Sequence, residues 1–205
     1  MTPSKSSAST SPVSTTAHAV LGLLSLRSWT TYELAKQVQR SIGWFWPRAE
    51  RKLYDEPKRL VAAGLAASTA QMTGARPRTV YTITARGRKA LRAWLSESPA
   101  PPALEFEGLV KVFFADNGDL EQLRATLQSI AATSDLRLAD LEEKVDQNAA
   151  PDVPFPDRRA INQVALRFQV DHERSIGAWA RWAMEQVAEW RSTTDPGEWV
   201  YRHSP

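Results

Sequence analysis

The sequence predicts a mainly α protein in two parts: three helices, a β-hairpin and a linker helix, followed by a long antiparallel helical domain. Three observations carry this. Apolar spacing is helical at first, turns to alternation over residues 65–84, and becomes helical again. The run PAPPA, residues 99–103, punctuates the chain. Beyond it, apolar residues recur at steps of three and four over residues 119–148. With 205 residues the chain can form two small domains, each with a modest core.

Residues 1–14, rich in Ser, Thr and Pro with little to bury, are expected to be disordered. Thr15 or Thr16 can cap a first helix over about residues 17–27. Ala17, Val20, Leu21, Leu23, Leu24 and Leu26 cover most of its circumference, so it is buried. After a break at Ser28 and Trp29, TYELAKQVQRSIG sets Tyr32, Leu34, Ala35, Val38 and Ile42 along a second helix that Gly43 can end. A third is expected from Pro47, suited to a first helical position, to Gly64, which can take the left-handed stop. Pro57 lacks the N–H that would bond the Leu53 carbonyl, at a cost of ~3 kcal/mol, so a kink or broken turn is expected there. LAASTAQMT and RTVYTIT then read as strands joined by the basic turn GARPR. Thr84 caps ARGRKALRAWLSES, with Leu91, Trp94 and Leu95 on one side.

In the second part, LEFEGLVKVFFAD is a short amphipathic helix and DNGD caps the next. That long helix carries Leu120, Leu123, Leu127 and Ile130, then Leu138, Leu141 and Val145 after a slip near Ser134. PDVPFP reverses the chain at 151–156. A second long helix over 157–191 places Ile161, Val164, Phe168, His172, Ile176, Trp179, Ala183 and Trp190 near one stripe. The expected domains are 15–98 and 103–192, with a tail over 193–205. One arm alone exposes too many leucines and tryptophans for a soluble monomer. A homodimer is expected, with Leu120, Leu123, Leu127, Ile130, Phe168 and Trp179 in its interface.

The net charge of +3 hides a polarity. Residues 1–98 hold 15 Lys or Arg against 5 Asp or Glu, and residues 99–205 hold 11 against 18. A basic first half suggests a polyanionic partner. Cysteine is absent, which removes disulfides, thiolate metal sites and a cysteine nucleophile. No apolar run approaches the roughly 20 residues that cross a bilayer, and the first residues lack the apolar centre of a signal peptide. A cytoplasmic location without membrane contact is the expectation.

On a helical wheel with Arg48 at zero, Arg51, Lys52, Lys58 and Arg59 fall between about 280° and 40°, with Asp55 among them. Ala49, Leu53, Pro57, Leu60 and Val61 fall between about 100° and 220°, and Tyr54 flanks the basic arc at about 240°. A packed back and an Arg-rich front, preceded by a shorter helix across a turn, is the form of a helix-turn-helix reader. The front can enter a major groove about 12 Å wide. Arg76 and Arg78, at the tip of the hairpin that follows, stand where a wing would touch phosphates or the minor groove. The first module is therefore a winged helix-turn-helix expected to bind double-stranded DNA. Trp44 and Trp46 either pack in the turn between helices or reach the DNA backbone, and Trp46 is kept as a candidate contact.

HAVLGLLSLRSWTTYELAKQV, LYDEPKRLVAAGL before the hairpin and TARGRKALRAWL after YTI resemble the PadR family of bacterial transcriptional regulators. LEFEGLVKVFFADNGDLEQL resembles the dimerisation region of its larger members, related to virulence-activator C-terminal domains. The resemblance covers residues 17 to about 190. It implies a homodimer that binds a pseudo-palindromic operator through two winged helices, usually represses, and is released by a small molecule or stress signal. By motif position, Tyr54, Lys58 and Arg59 lie on the recognition helix, Thr31 and Tyr32 open the second helix, and Arg76 to Arg78 form the wing tip. Pro57 and the cluster Trp44, Phe45, Trp46 depart from the commonest pattern.

No other chemistry emerges. His18, His172 and His203 are too scattered for a metal site, no glycine loop cradles a phosphate, and most serines lie in the first residues, so neither catalysis nor a cofactor is expected. Trp179, Trp182 and Trp190 could line a flat pocket for a planar effector, or anchor an intersubunit core. The competing function is an interaction module whose basic face binds an acidic partner.

Overall fold

The computed structural model describes residues 13–47, 54–73 and 76–200. The chain divides into two compact units, Met1–Ala100 and Pro101–Pro205.

In the first unit, α1 spans Thr15–Leu26 and is capped by Ser14, whose hydroxyl oxygen accepts the Ala17 N–H at 3.1 Å. The cap therefore precedes the expected threonines, and Thr16 is buried inside the first turn. A two-residue strand, β1 (Trp29–Thr30), leads into α2 (Thr31–Arg40). Thr30 and Glu33 close a reciprocal capping box at its start. Helix α2 ends at Arg40, ahead of the expected stop at Gly43. Helix α3 covers Glu56–Ala62, and Gly64 at φ +70° supplies its left-handed stop.

The third helix is thus not continuous from Pro47. Tyr54 and Asp55 form a turn, and Pro57 sits in the first turn of α3, where its missing N–H has no intrahelical partner to lose. Strands β2 (Ala66–Thr73) and β3 (Arg76–Ile83) pair antiparallel from Ala66 opposite Ile83 to Thr73 opposite Arg76. β1 adds to the far side of β3, giving the order β1-β3-β2. Helix α4 (Ala85–Trp94) follows with Thr84 as cap. Helix α1 touches α2, α3, α4 and β3, which is why its apolar residues run nearly all round. Leu21, Leu24, Leu34 and Val38 form the centre, each at most 1% exposed. Leu95, expected beside Trp94, is exposed, because α4 turns to pack Gly87 and Trp94 inward.

The second unit holds α5 (Glu107–Phe113), α6 (Leu120–Ala149) and α7 (Arg159–Ala188). At 30 residues each, α6 and α7 are about 45 Å long. Arg124 reaches the Val187 carbonyl, Ser134 the Glu173 carbonyl and Asn148 the Arg159 carbonyl, so the pair is antiparallel. Leu123, Leu127, Ile130 and Ala131 pack on Ala180, Ala183 and Val187, with Val112 of α5 against them.

The expected slip near Ser134 is absent. Leu120, Leu127, Ser134, Leu141 and Asn148 repeat every seven residues, and the last four are buried. Ser134 fits this seam because it faces Gly177: a Cβ there would stand 2.9 Å from its hydroxyl oxygen. The stripe expected on α7 is also corrected. Ile161, Val164 and Phe168 are exposed, and α7 turns Val170, Glu173, Gly177, Ala180, Ala183 and Val187 toward α6. Beyond α7 the expected tail folds back, with Trp199 donating to Gln186 and lying edge-on to Trp190.

Candidate nucleic-acid interface

Helix α3 is short, and its burial splits by face. Glu56, Pro57 and Leu60 are buried while Lys58 and Arg59 are exposed. At 100° per residue the buried three span about 100°, and the two cations lie on the opposite arc. Tyr54, in the turn before the helix, is 65% exposed. Arg48, Arg51 and Lys52, expected on the same front, lie outside the described residues. Helix α2 presents Tyr32, 66% exposed, with the Lys36 ammonium 4.7 Å from its ring centre. Thr31 opens the helix beside it and is half-buried. On the hairpin, Arg78 is exposed, and the Arg76 side chain lies outside the described residues.

Trp46 is held inward. Its indole N–H donates to the Thr16 hydroxyl at 3.1 Å, which ties the turn after α2 to the first turn of α1. Trp44 is half-buried and Phe45 exposed. Of the candidate contacts, then, Tyr32, Tyr54, Lys58, Arg59 and Arg78 present exposed side chains, and Trp46 braces the fold.

The local electrostatics are set by the caps. Backbone donation from the Thr30 N–H, at 2.8 Å, is the main cause that holds the Glu33 carboxyl below its ordinary range, with the Thr30 hydroxyl and Arg27 adding to it. Arg27 also lies 3.6 Å over the Trp29 ring. The His18 imidazole stacks on Trp94 at 4.8 Å and 7°, and burial pushes it below its ordinary value although the Ser14 carbonyl opposes this. Sequence reasoning passed over Lys36 and Glu56. Lys36 could have been found from its place four residues after Tyr32. Glu56 is in contact with Ser14, 42 residues away, and no local pattern reports that.

The other singled-out residues lie in the second unit. Leu123, Leu127 and Ile130 are buried between α6 and α7 of their own chain and keep little surface for a partner, and Leu120 is partly buried beside them. Phe168 is exposed. Trp179 and Trp190 pack on the Leu123–Leu127 cluster, Trp179 edge-on to Phe106 at 6.2 Å, and Trp182 is exposed. The Trp190 indole nitrogen is buried and has no hydrogen-bond partner among the described residues. Among the described residues there is no His or carboxylate cluster that could hold a metal, and no helix long and apolar enough to cross a membrane.

Comparison with known proteins follows this division. Residues 20–93 match the model of the transcriptional regulator PadR-like family, and residues 107–188 match that of the virulence activator alpha C-terminal domain. The negative transcriptional regulator PadR of Bacillus subtilis is 23% identical over 167 residues, covering 79% of this chain and 91% of that one. A probable transcriptional regulator of Mycobacterium tuberculosis is 26% identical over 185 residues, covering 84% and 95%. The Bacillus subtilis PadR structure in complex with operator DNA superposes with a TM-score of 0.72 at 20% identity, over 83% of this chain and 98% of that one. The same protein has been solved with p-coumaric acid, where the TM-score is 0.65 at 21% identity, over 83% and 94%. The Vibrio cholerae virulence activator AphA gives a TM-score of 0.60 at 27% identity, over 85% and 96%. Among the described residues, this chain's three helices, three-stranded sheet and linker helix followed by two long helices are the winged-helix architecture of these structures, and the chain carries a domain of the PadR-like family of transcriptional regulators over residues 20–93 and a virulence activator alpha C-terminal domain over residues 107–188.

Proposed function

We propose that this regulator binds a pseudo-palindromic operator as a homodimer, represses from it, and is released by a small aromatic effector. The observation that carries DNA reading is the split face of α3: Pro57 and Leu60 root the helix in the core while Lys58 and Arg59 stand outward, with Tyr54 beside them. Tyr32 and Lys36 on α2 and Arg78 on the hairpin add phosphate contacts on either side. Arg48, Arg51, Lys52 and Arg76 belong to the same proposed surface by their places in the sequence, with Thr31 at the start of α2.

The dimer is supported by apolar surface in the second unit. Leu109, Val110, Phe113 and Phe114 on and just after α5 are exposed, as are Ile161, Val164 and Phe168 at steps of three and four on α7. Rows of exposed large apolar side chains suit an interface. The proposed interface therefore passes from the leucines of α6 to these two rows, keeping Phe168. For the effector, Bacillus subtilis PadR is solved with p-coumaric acid, and the Trp190 N–H beside Trp199, which has no hydrogen-bond partner among the described residues, suits a planar molecule with an oxygen acceptor.

Selection of bound sequences from a random DNA pool tests the core of this. The expected result is an enriched inverted repeat whose binding weakens steeply with salt. No enrichment at moderate salt, with an acidic protein partner captured instead, would overturn DNA reading. Titration with p-coumaric acid is expected to quench tryptophan emission and release the operator together.

A further inference from the structure

We propose that Glu56 is a positioning residue for DNA reading, holding the Arg59 guanidinium in place on the outward arc of α3. This rests on the reading of α3 given above. Glu56 is 5% exposed, on a helix whose other face is charged and open. One carboxylate oxygen, Oε1, accepts the Ser14 hydroxyl at 2.9 Å. The other, Oε2, is buried and accepts no hydrogen bond among the described residues. Arg59 Nη1 lies 3.7 Å from that oxygen, and the Arg59 side chain is 73% exposed. The pair is spaced i,i+3 on one helix, so the guanidinium leans over its own first turn.

The asymmetry of burial makes this more than an ordinary surface pair. An exposed ion pair contributes little because water screens both ends and two long side chains lose freedom. Here the acidic partner is already fixed and dry, held by Ser14, which itself caps α1. Only the Arg59 side chain has rotamer freedom to lose, and its attraction to Oε2 is screened less. The guanidinium has five N–H donors in a rigid fork. One edge can face Oε2 while the other stays available for a phosphate or the acceptor edge of a guanine. Lys58, on the same arc, has no ion-pair partner among the described residues, so it supplies charge without a fixed direction. Glu56 thus sets the orientation of one cation and not of its neighbour.

The test is a cycle of Glu56→Gln, Arg59→Ala and the double variant in the full-length chain, measured on the selected operator and on unrelated DNA of the same length. Glutamine keeps the volume and the acceptor for Ser14 but removes the charge that holds Arg59. Glu56→Gln is expected to weaken operator binding about tenfold, leave unrelated DNA within about twofold, and add nothing once Arg59 is Ala. An equal loss with and without Arg59, or no loss at all, overturns the inference. If Arg59→Ala itself costs no operator affinity, the reading of α3 has failed, and Arg59→Ala, not Glu56→Gln, reports it. Should Glu56→Gln not fold, Glu56→Asp, which keeps the charge but shortens its reach, is put through the same cycle with the same outcomes.

Discussion

Gly87 is where the linker helix meets the root of the wing, and Gly87→Ala tests whether that contact is as close as the structure has it. A Cβ added there would stand 2.1 Å from the Leu65 carbonyl oxygen and 2.9 Å from Ile83 Cγ1. Ordinary C···O approach is about 3.3 Å or more, so α4 must retreat from the start of β2 by about 1 Å. The Leu65 carbonyl also accepts the Thr84 N–H at 3.1 Å, and the Thr84 hydroxyl donates to the Gly64 carbonyl at 2.9 Å. Overpacking costs about 1–3 kcal/mol and each strained hydrogen bond about 0.5–1.5 kcal/mol. Alanine returns about 1 kcal/mol of helix propensity. The balance is a loss of about 3 kcal/mol, or a fall in Tm of more than ~10 °C for a unit of this size. Thermal and urea unfolding of the full chain, followed by circular dichroism and tryptophan emission, measures it. A Gly87→Ala protein as stable as the parent would refute the close approach.

Gly22→Ala is the opposite case. A Cβ at Gly22, inside α1, meets nothing within 4 Å, so the variant should gain about 0.5–1 kcal/mol, and a loss in urea unfolding would contradict the packing of α1. His18 predicts a pH effect: burial places its folded value below the ordinary 6.5, so the unfolded chain takes up the proton first. Stability is therefore full above about pH 6.5 and declines as pH falls below it, whereas His18→Phe should show a flatter profile. Parallel profiles would remove His18 as the cause. In the second unit, Phe113→Glu with Phe168→Glu should convert a dimer in light scattering to a monomer of 22.9 kDa, and an unchanged dimer would place the interface elsewhere.

Much of the fold was legible because each element carries its own signal. Thr84, Gly64 and the alternation of Val80, Tyr81 and Ile83 act within a turn or a strand, and the structure uses them where expected. β1 was not legible, since two residues cannot show a period and Trp29–Thr30 becomes a strand only by pairing with β3. On α3 the charged arc could be read, but its first turn could not: Pro57 fits either a kink within a long helix or the start of a short one. The choice depends on Leu60 and Pro57 finding cover in the core. Trp46 could be read as packing in the turn or reaching the DNA backbone, while its bond to Thr16 is a contact across 30 residues.

The second unit shows where such reading stops. Its two long helices follow from periodicity and from the Asp119–Gln122 capping box, both local in sequence. Helix α7, however, has two apolar faces. One carries the large residues Ile161, Val164 and Phe168, and the other carries Gly177, Ala180 and Ala183. Hydrophobicity favours the first, yet α6 packs on the second, because small residues let two backbones come close enough for Ser134 to reach the Glu173 carbonyl. The amino-acid sequence by itself set the helices, the hairpin, the caps and the charge of each half, all of which arise within a few residues. Which face of α7 meets its own chain, and the joining of Ser14, Glu56 and Arg59 behind the charged arc of α3, came only with folding. Those depend on what stands opposite a side chain, and that partner is dozens of residues away.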